Sequence, residues 1–426
     1  MLEILRNAWK IKEIRNKIFF TIFIIIIFRI GSVIPVPYVD VEALKSSAGT
    51  SSNEFFNYLS ILTGGGLEYG AIFAMSVTPY INSSIIMQLL CVAIPALERL
   101  QKEGEEGQKK LATYTRFATV ILALIQGVAY FFYLKGSNFL SVDGGWVVFA
   151  AFVIVLAFTA GSALVMWLGE RIDEKGIGNG ISMLLFAGII SRAPDAAVAL
   201  WGSFKTGQQV AVIGIIVMFL AVIGFVVWMT HAERRIPIQY AKRVVGNKMY
   251  GGQNTHIPIK VNMSGVMPII FSSSILMLPT MILSFMNTAQ RSTSFAKVLA
   301  LFSTQGIFYA VIYFILIIAF AYFYTTIQFN PVEMANNLRK NGGAVPGIRP
   351  GKPTSDFISK ILSRITLMGA LFLSVIAILP IIIGSVGQIN ISLGGTSVLI
   401  MVGVALDTVQ NLESQMMMRH YKGFLD

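Results

Sequence analysis

The residues with the most distinctive types and spacing lie in the stretch TGGGLEYGAIFAMSVTPYINSSIIMQLL, from Thr63 to Leu90. A glycine cluster with an acidic residue precedes an apolar run that is long enough to enter a bilayer, and Pro79 falls inside that run. An irregular backbone is tolerated at membrane depth only where protein or water covers it. A mid-span proline also frees backbone groups that need a polar neighbour. The stretch therefore predicts a segment that lines an internal cavity, although a plain loop that turns into a helix also fits the glycines alone.

Residues for catalysis or for ion coupling are sparse. We find no metal motif and no nucleophile–base pair, and the charges inside apolar runs are few, whereas secondary transporters usually place ionisable residues there. Gly351-Lys352 resembles the end of a phosphate-binding loop, but Pro353 stands where Ser or Thr is needed. We expect no enzyme, no cofactor and no metal site.

Composition indicates a membrane protein. The 426 residues are 55% hydrophobic and 13% charged, with a mean hydropathy of +0.71, whereas a soluble chain carries about 25% charged residues. The single cysteine, Cys91, excludes a disulfide within the chain.

Ten apolar runs approach the roughly 20 residues that a spanning helix needs. They cover residues 18–36, 71–97, 112–135, 145–168, 178–194, 209–230, 264–286, 306–329, 361–383 and 395–412. Many transport folds consist of two halves of inverted topology. We therefore predict an all-α polytopic membrane protein with ten transmembrane helices in two inverted five-helix halves, residues 18–194 and 195–412.

Lysine and arginine concentrate on one predicted face, which sets the orientation. That face comprises the amphipathic lead 1–17, the loops 98–116, 169–177, 231–263 and 330–360, and the tail 413–426. Both termini and the large loops are therefore predicted to be cytoplasmic. The net charge of +12 belongs to this face and does not by itself indicate a nucleic-acid binder.

Four spans begin with small or polar residues and continue into aliphatic ones. Besides the opening stretch, these starts are IGNGIS from Ile177, VNMSGVMPIIFSSSI from Val261 and GGTS from Gly394. Each alone is typical of close helix packing. Together they predict an aqueous central pore that is closed by an apolar constriction, which can exclude water and ions by dewetting.

The two long basic loops, 231–263 and 330–360, are longer than most helix connections. The first contains HAERRIPIQYAKRVVGNKMYGGQNTHIP, and the second contains NGGAVPGIRPGKP, in which two prolines stiffen a tip that presents Arg349. An arginine on a rigid tip suits an anionic partner. A solvated loop that only sets topology is the alternative.

These motifs resemble the SecY family, whose members form the central subunit of the protein-conducting channel. The resemblance runs in order along essentially the whole chain. It is carried by TPYINSSIIMQLL, KEGEEGQKKLATYTR, WLGERIDEKGIGNGIS, RRIPIQYAKR, THIPIKVNMSGVMP, FNPVEMANNLRKNGGAVPGIRPGKPT and GGTSVLI.

The resemblance implies three sets of site residues. A plug that closes the pore would be about residues 57–70, including Gly64, Gly65, Gly66, Leu67 and Glu68. An aliphatic pore ring would be Val77, Ile81, Leu185, Ile270 and Ile400, of which Val77 and Leu185 depart from the isoleucine that is frequent in the family. A lateral gate between spans two/three and seven/eight would carry Gln88, Gln126 and Asn262.

The resemblance also implies partners and a location. The basic loops would dock the motor ATPase SecA or a translating ribosome, through Arg234, Arg235, Lys242, Arg243 and above all Arg349. SecE and SecG would be the partner subunits, and the substrate a signal-sequence-bearing polypeptide whose apolar helices leave sideways into the lipid bilayer. The location would be the plasma membrane, with no direct DNA binding.

A secondary transporter for a small solute is the competing interpretation. The scarcity of coupling carboxylates and the large basic loops argue against it. A plain membrane scaffold would not explain four glycine- or proline-broken spans.

Overall fold

The computed structural model is mainly helical and describes residues 9–48, 63–142, 144–205, 207, 209–240, 243–245, 248–250, 254–285, 299, 307–387 and 395–422. The helices are α1 Lys12–Gly31, α2 Val41–Ala48, α3 Thr78–Ala93, α4 Pro95–Lys102, α5 Glu105–Gly136, α6 Trp146–Lys175, α7 Gly180–Ile190, α8 Ala193–Lys205, α9 Gln209–His231, α10 Met267–Phe285, α11 Ile307–Gln328, α12 Pro331–Lys340, α13 Lys352–Gly387 and α14 Gly395–Lys422. The strands are β1 Glu233–Tyr240, β2 Arg243–Val245, β3 Lys248–Tyr250, β4 Asn254–Lys260 and β5 Gly343–Ala344.

Each of the ten predicted spans overlaps one of these helices. Among the described residues, six helices are long and apolar enough to cross a membrane, or seven if the bent pair α3–α4 counts as one span. The chain is therefore a multi-pass helical membrane protein. The count of ten spans and the two-half division stay predictions.

Two helix starts show how the sequence sets the boundaries. The side chain of Asn179 accepts a hydrogen bond from the Ser182 backbone N–H at 3.0 Å, at the start of α7. The side chain of Asn330 accepts one from the Val332 N–H at 3.1 Å, with Pro331 in the first turn of α12. Asparagine caps and first-turn prolines are both favoured there, because the first helical N–H groups have no partner inside the helix.

The second predicted span, 71–97, is only partly helical. Residues 63–77 form a series of turns, and α3 begins at Thr78. Pro79 therefore lies in the first turn, where its missing N–H breaks no helical hydrogen bond, and the prediction that it interrupts the middle of a span is wrong. At the other end the chain bends by 103° between α3 and α4, where Ile94 precedes Pro95 and adopts an extended backbone.

The chain separates into two compact units. Unit one comprises Met1–Val212, Leu276–Gly306 and Ile389–Asp426, and unit two comprises Ile213–Ile275 and Ile307–Gln388. These bounds are not those of the two predicted halves. Compactness does not test for an inverted repeat, so that division remains a prediction.

Unit one has an apolar core in which α5 and α6 meet the turns at residues 63–77. Tyr130 of α5 and Phe158 of α6 pack edge to face with ring centroids 5.1 Å apart. Leu67 and Ala74, from the turns, belong to the same buried cluster. The turns are therefore held by apolar burial as well as by hydrogen bonds.

A glycine-rich turn at residues 176–180 contacts several helices of unit one. The Ile177 N–H donates to the hydroxyl of Thr21 on α1 at 3.2 Å, and the Gly180 N–H donates to the Asp173 carboxylate of α6 at 2.7 Å. A Cβ on Gly180 would lie 2.0 Å from the Gly169 carbonyl oxygen. Glycine at position 180 is what allows α6 and α7 to approach this closely.

The fold is helical as predicted, but unit two also contains a small sheet that the sequence did not predict. The strand order is β4-β1-β5, all antiparallel, with Ile236 opposite Ile257 and Gln239 opposite Ala344. β2 and β3 form a separate antiparallel pair. The predicted loops 231–263 and 330–360 thus contribute strands to one sheet.

That sheet has an apolar core of its own. Ile236 and Ile238 are buried, while Arg235 before them and Pro237 between them are exposed, which is the alternation of a strand with one covered face. The buried side packs with residues of α12 and α13 in a single cluster, including Leu338 and Ile358. The basic loops therefore belong to a folded module with a defined shape.

Candidate functional site

The described part of the glycine-rich segment, residues 63–77, is mostly buried and lacks helix. Thr63, Gly64 and Leu67 are all buried. Gly64 and Gly70 have φ values of +64° and +55°, which side chains other than glycine rarely adopt. The prediction of an irregular, covered segment is confirmed for these residues, while residues 57–62 of the predicted plug lie outside the described part of the chain.

Side chains from four places in the fold contact residues 64–69. Arg29 of α1 donates to the Gly64 carbonyl oxygen at 3.1 Å, and the buried Tyr130 hydroxyl donates to the Leu67 carbonyl oxygen at 3.1 Å. Two further contacts join side chain to side chain. Arg192, between α7 and α8, forms an ion pair with Glu68, and the Lys45 ammonium of α2 lies 4.2 Å from the centroid of the Tyr69 ring.

Residues 70–72 are fixed in a different way, by backbone hydrogen bonds. The Val36 N–H donates to the Gly70 carbonyl oxygen at 2.9 Å, and the Ile72 N–H donates to the Ile34 carbonyl oxygen at 3.0 Å. Pro35 and Ala71 form an isolated antiparallel bridge between them. The segment is thus held by side chains on its first part and by backbone on its second.

Four of the five predicted ring residues lie in unit one. Val77 and Ile81 are one helical turn apart, since the Ile81 N–H donates to the Val77 carbonyl oxygen at 3.0 Å, so they share a face at the start of α3. Leu185 on α7 and Ile400 on α14 are 3% and 2% exposed.

The two helices that carry Leu185 and Ile400 contact each other directly. The Thr408 hydroxyl of α14 lies 3.4 Å from the sulfur of Met183 on α7. Ile270, on α10, is buried in unit two. The structure therefore places every predicted ring residue on a helix or directly before one, and closure of the ring stays a prediction.

The three predicted gate residues are half-buried. Gln88 on α3 donates weakly to the Ser84 hydroxyl at 3.5 Å, within its own helix. Gln126 lies on α5. The buried amide oxygen of Asn262, just before α10, has no hydrogen-bond partner among the described residues.

Three of the five predicted docking residues lie on the module of unit two. Arg234 and Arg235 are exposed on β1, and Arg235 pairs with Glu233 at 2.7 Å. Arg349 is exposed on a turn closed by the Thr354 hydroxyl, which donates to its carbonyl oxygen at 2.8 Å.

The structure says less of the remaining two docking residues. Arg243 begins β2, and Lys242 lies outside the described residues. Gly347 and Gly351, with φ values of +81° and +102°, shape the turn on either side of Arg349. Their positive φ accounts for the glycines that flank this arginine.

Sequence reasoning missed Lys45, Tyr130 and Arg192 as contacts of the glycine-rich segment. One signal could have found two of them. Lys45 and Arg192 lie on the predicted face that carries few basic residues. The bias of lysine and arginine toward the cytoplasmic face, which sets the topology, therefore does not explain their presence. Tyr130 carries no such signal, because a tyrosine within an apolar helix is ordinary.

These features define a class: a multi-pass helical membrane protein with a buried, non-helical segment before one span and a folded basic module outside the spans. A family model for SecY matches residues 71–409. The chain is 42% identical over 441 residues to the protein translocase subunit SecY of Streptomyces coelicolor, covering 100% of both chains. The chain belongs to the SecY family.

Solved structures share the fold. One is the structure of a SecY protein whose plug domain stabilises the closed state of its channel. It matches with a TM-score of 0.65 and 18% identity over 94% of this chain and 92% of that one. Another, Sec61 in the canine ribosome–channel complex, matches with a TM-score of 0.60 and 17% identity over the same shares. At these identities the likeness concerns the fold.

Proposed function

We propose that this chain is the channel-forming subunit of a protein translocase. It passes unfolded secretory polypeptides across the plasma membrane and releases transmembrane helices sideways into lipid. The observation that carries the proposal is the buried, non-helical segment at residues 63–77 in a SecY-family membrane protein. An anchor or scaffold would not need irregular backbone at this position, because a helix would satisfy the backbone N–H and C=O groups at lower cost in free energy.

Residues 57–70 act as the plug in this proposal. The described glycines, Gly64 to Gly66, let a short segment fold back into the protein, and Leu67 seals it with an apolar side chain that is 3% exposed. Glu68 gives the segment one charge that must be paired when it is buried. A segment with these properties can close a passage and leave it again.

The pore ring consists of Val77, Ile81, Leu185, Ile270 and Ile400. All five side chains are aliphatic, and a narrow aliphatic ring excludes water and ions while it yields to a chain that is pushed through. Burial of Val77, Leu185, Ile270 and Ile400 supports the proposal.

The lateral gate uses Gln88, Gln126 and Asn262. A buried amide oxygen without a partner is costly, so Asn262 gains from a donor that approaches it. Amides that face each other across a closed gate would supply such donors, and their separation would accompany opening.

The basic module of unit two docks the energy source, a SecA motor or a ribosome. Arg349 supports this role best, because its side chain is exposed on a turn of fixed geometry, and a pre-organised guanidinium loses little freedom when it binds a carboxylate or phosphate. Arg234, Arg235, Lys242 and Arg243 add positive charge to the basic loop 231–263. SecE and SecG are the proposed membrane partners, with both termini of the chain in the cytoplasm.

Deletion of Gly64–Gly70 tests the channel proposal. We expect vesicles that contain the variant to conduct ions while they still translocate a secretory polypeptide. A solute transporter should not become an open pore, so an ion-tight variant that retains its fold would refute the proposal.

Charge reversal at Arg349 tests the docking proposal separately. We expect Arg349→Glu to abolish translocation driven by SecA and ATP, because the exposed guanidinium is replaced by a group with the same charge as its acidic partner. Lys205→Glu, an equal charge change at the end of α8, is the matched control and should translocate normally. Normal translocation by Arg349→Glu would remove this residue from the docking site.

A further inference from the structure

The contacts on residues 64–69 differ in kind from those on residues 70–72. The first part is held by side chains that reach in from Arg29, Lys45, Tyr130 and Arg192. The second part is held by backbone hydrogen bonds to residues 34–36. Side-chain contacts can break one at a time, whereas the backbone pair requires the connection between α1 and α2 to move as well.

Gly70 stands at the boundary between the two parts. Its φ is +55°, and a Cβ there would lie 2.8 Å from a methyl carbon of Val39. Glycine is therefore required both for the conformation and for the close approach. Rotation about this residue would let residues 64–69 leave while residues 70–72 stay attached.

An ion pair between Arg192 and Glu68 joins residues 64–69 to the connection between α7 and α8. The two side chains are 21% and 27% exposed, so the pair is shielded from most of the solvent. A shielded pair is screened less than a surface pair, and removal of one partner leaves the other charge poorly solvated. Asp195 lies 3.6 Å from the other terminal nitrogen of Arg192, too far for a hydrogen bond, and its side chain is 72% exposed, so Glu68 is the closer and better shielded partner of this guanidinium.

We propose that Arg192 is a positioning residue for the closed plug, with Glu68 as its counter-group and the Tyr130 hydroxyl as a second fixed point. Opening breaks the Arg192–Glu68 pair and the Tyr130–Leu67 hydrogen bond, while the attachment at residues 34–36 persists. This inference rests on the proposed role of the segment as a plug, and it names the side chains that set its resting position.

A double-mutant cycle tests the pair. The variants Glu68→Gln, Arg192→Gln and the double variant are reconstituted in planar bilayers, and basal ion conductance is measured without substrate. We expect each single variant to raise the open fraction by about fivefold to tenfold, and the double variant to raise it no further than the singles do. The exchange Glu68→Arg with Arg192→Glu should bring conductance back toward that of the parent protein.

Two controls separate a loss of plug positioning from a general loss of stability. Glu98→Gln removes an exposed ion pair with Lys102 on α4 and should leave conductance unchanged. A purely structural role of Arg192 would lower the thermal unfolding midpoint without a rise in conductance, so both are measured. Parent-like conductance in both single variants, or additive effects in the double variant, would overturn the inference.

The deletion of Gly64–Gly70, measured in parallel, separates the two levels of proposal. An ion-tight deletion variant would refute the plug itself. A conducting deletion variant with silent Glu68→Gln and Arg192→Gln variants would refute only the positioning role.

Discussion

Gly161 on α6 is a position at which one added methyl group should disturb the closed state. A Cβ built there would lie 2.1 Å from the carbonyl oxygen of Ile72, in the turns at residues 63–77. Real Cβ atoms essentially never approach another atom within 3.0 Å, so Gly161→Ala requires either α6 or the turn backbone to move by about 1 Å. The contact is with backbone, so no side-chain rotation can relieve it.

The cost of this overpacking is about 1–3 kcal/mol. Ile72 cannot move freely, because its N–H donates to the Ile34 carbonyl oxygen at 3.0 Å. The Ala71 N–H donates to the Gly66 carbonyl oxygen at 2.9 Å, so a shift of the backbone at Ile72 is passed on to residues 64–69. The seated position of residues 64–69 then loses that free energy relative to the open state, although residues 70–72 stay attached to residues 34–36 in both states. The open fraction should then rise by about 5- to 150-fold.

The assay is basal conductance of the purified protein in planar bilayers, together with its thermal unfolding midpoint in detergent. Gly127→Ala is the matched control, since a Cβ on that α5 glycine would lie 3.5 Å from the Val155 carbonyl oxygen, an ordinary contact. We expect the control to remain tight and Gly161→Ala to leak. A tight Gly161→Ala variant would refute the claim that α6 presses on the closed segment.

Three further changes have distinct expected outcomes. Ile400→Asn buries an amide at a site that is 2% exposed, so it should raise basal conductance and let weaker signal sequences through; unchanged signal stringency would argue against the ring. Gly180→Ala places a methyl 2.0 Å from the Gly169 carbonyl oxygen and should lower the unfolding midpoint by about 2–6 °C. Arg116→Gln breaks a pair with Glu170 whose arginine is 49% exposed, so it should cost under about 1 kcal/mol and shift the midpoint little; a larger shift than for Gly180→Ala would reverse this ranking.

The helices could be predicted from the sequence because membrane spans leave a strong signal. A run of apolar residues must satisfy its backbone internally, and a helix does so within one segment. Each of the ten predicted runs therefore overlaps a helix, from Lys12–Gly31 to Gly395–Lys422. Boundaries were less predictable, as at Thr78, where Pro79 resembles a mid-span break but stands in a first turn.

The sheet of unit two was missed for a physical reason. Its strand β1 pairs with β4, which follows only after the separate β2–β3 pair, and with β5, which is two residues long and lies in the other basic loop. Neither pairing is a short hairpin, so neither leaves a local pattern in the sequence. The alternation around Ile236 and Ile238 was present in RRIPIQY, but Pro237 weakens a strand assignment. At Pro237, β1 pairs with β4 alone, because β5 reaches only Gln239 and Tyr240, so the strand has an open edge at that position, which is where a residue without an N–H is tolerated.

The site was predicted in its apolar and glycine residues and missed in its polar contacts. Gly64 and Leu67 followed from composition and resemblance, since a glycine cluster at membrane depth indicates irregular backbone that protein or water must cover. Tyr130 and Arg192 act through partners 63 and 124 residues away in the chain. Spacing in one sequence cannot reveal contacts of that kind.

The central claim is that a polypeptide passes through this chain, and crosslinking tests it most directly. Single cysteines at Ile81, Ile270 and Ile400, in a Cys91→Ser background, would be combined with a stalled secretory chain, purified SecA and ATP. The account predicts crosslinks to the substrate from all three positions, because all three would line one passage. An intact protein that gives crosslinks at none of them would contradict the account and return the small-solute transporter as the better explanation.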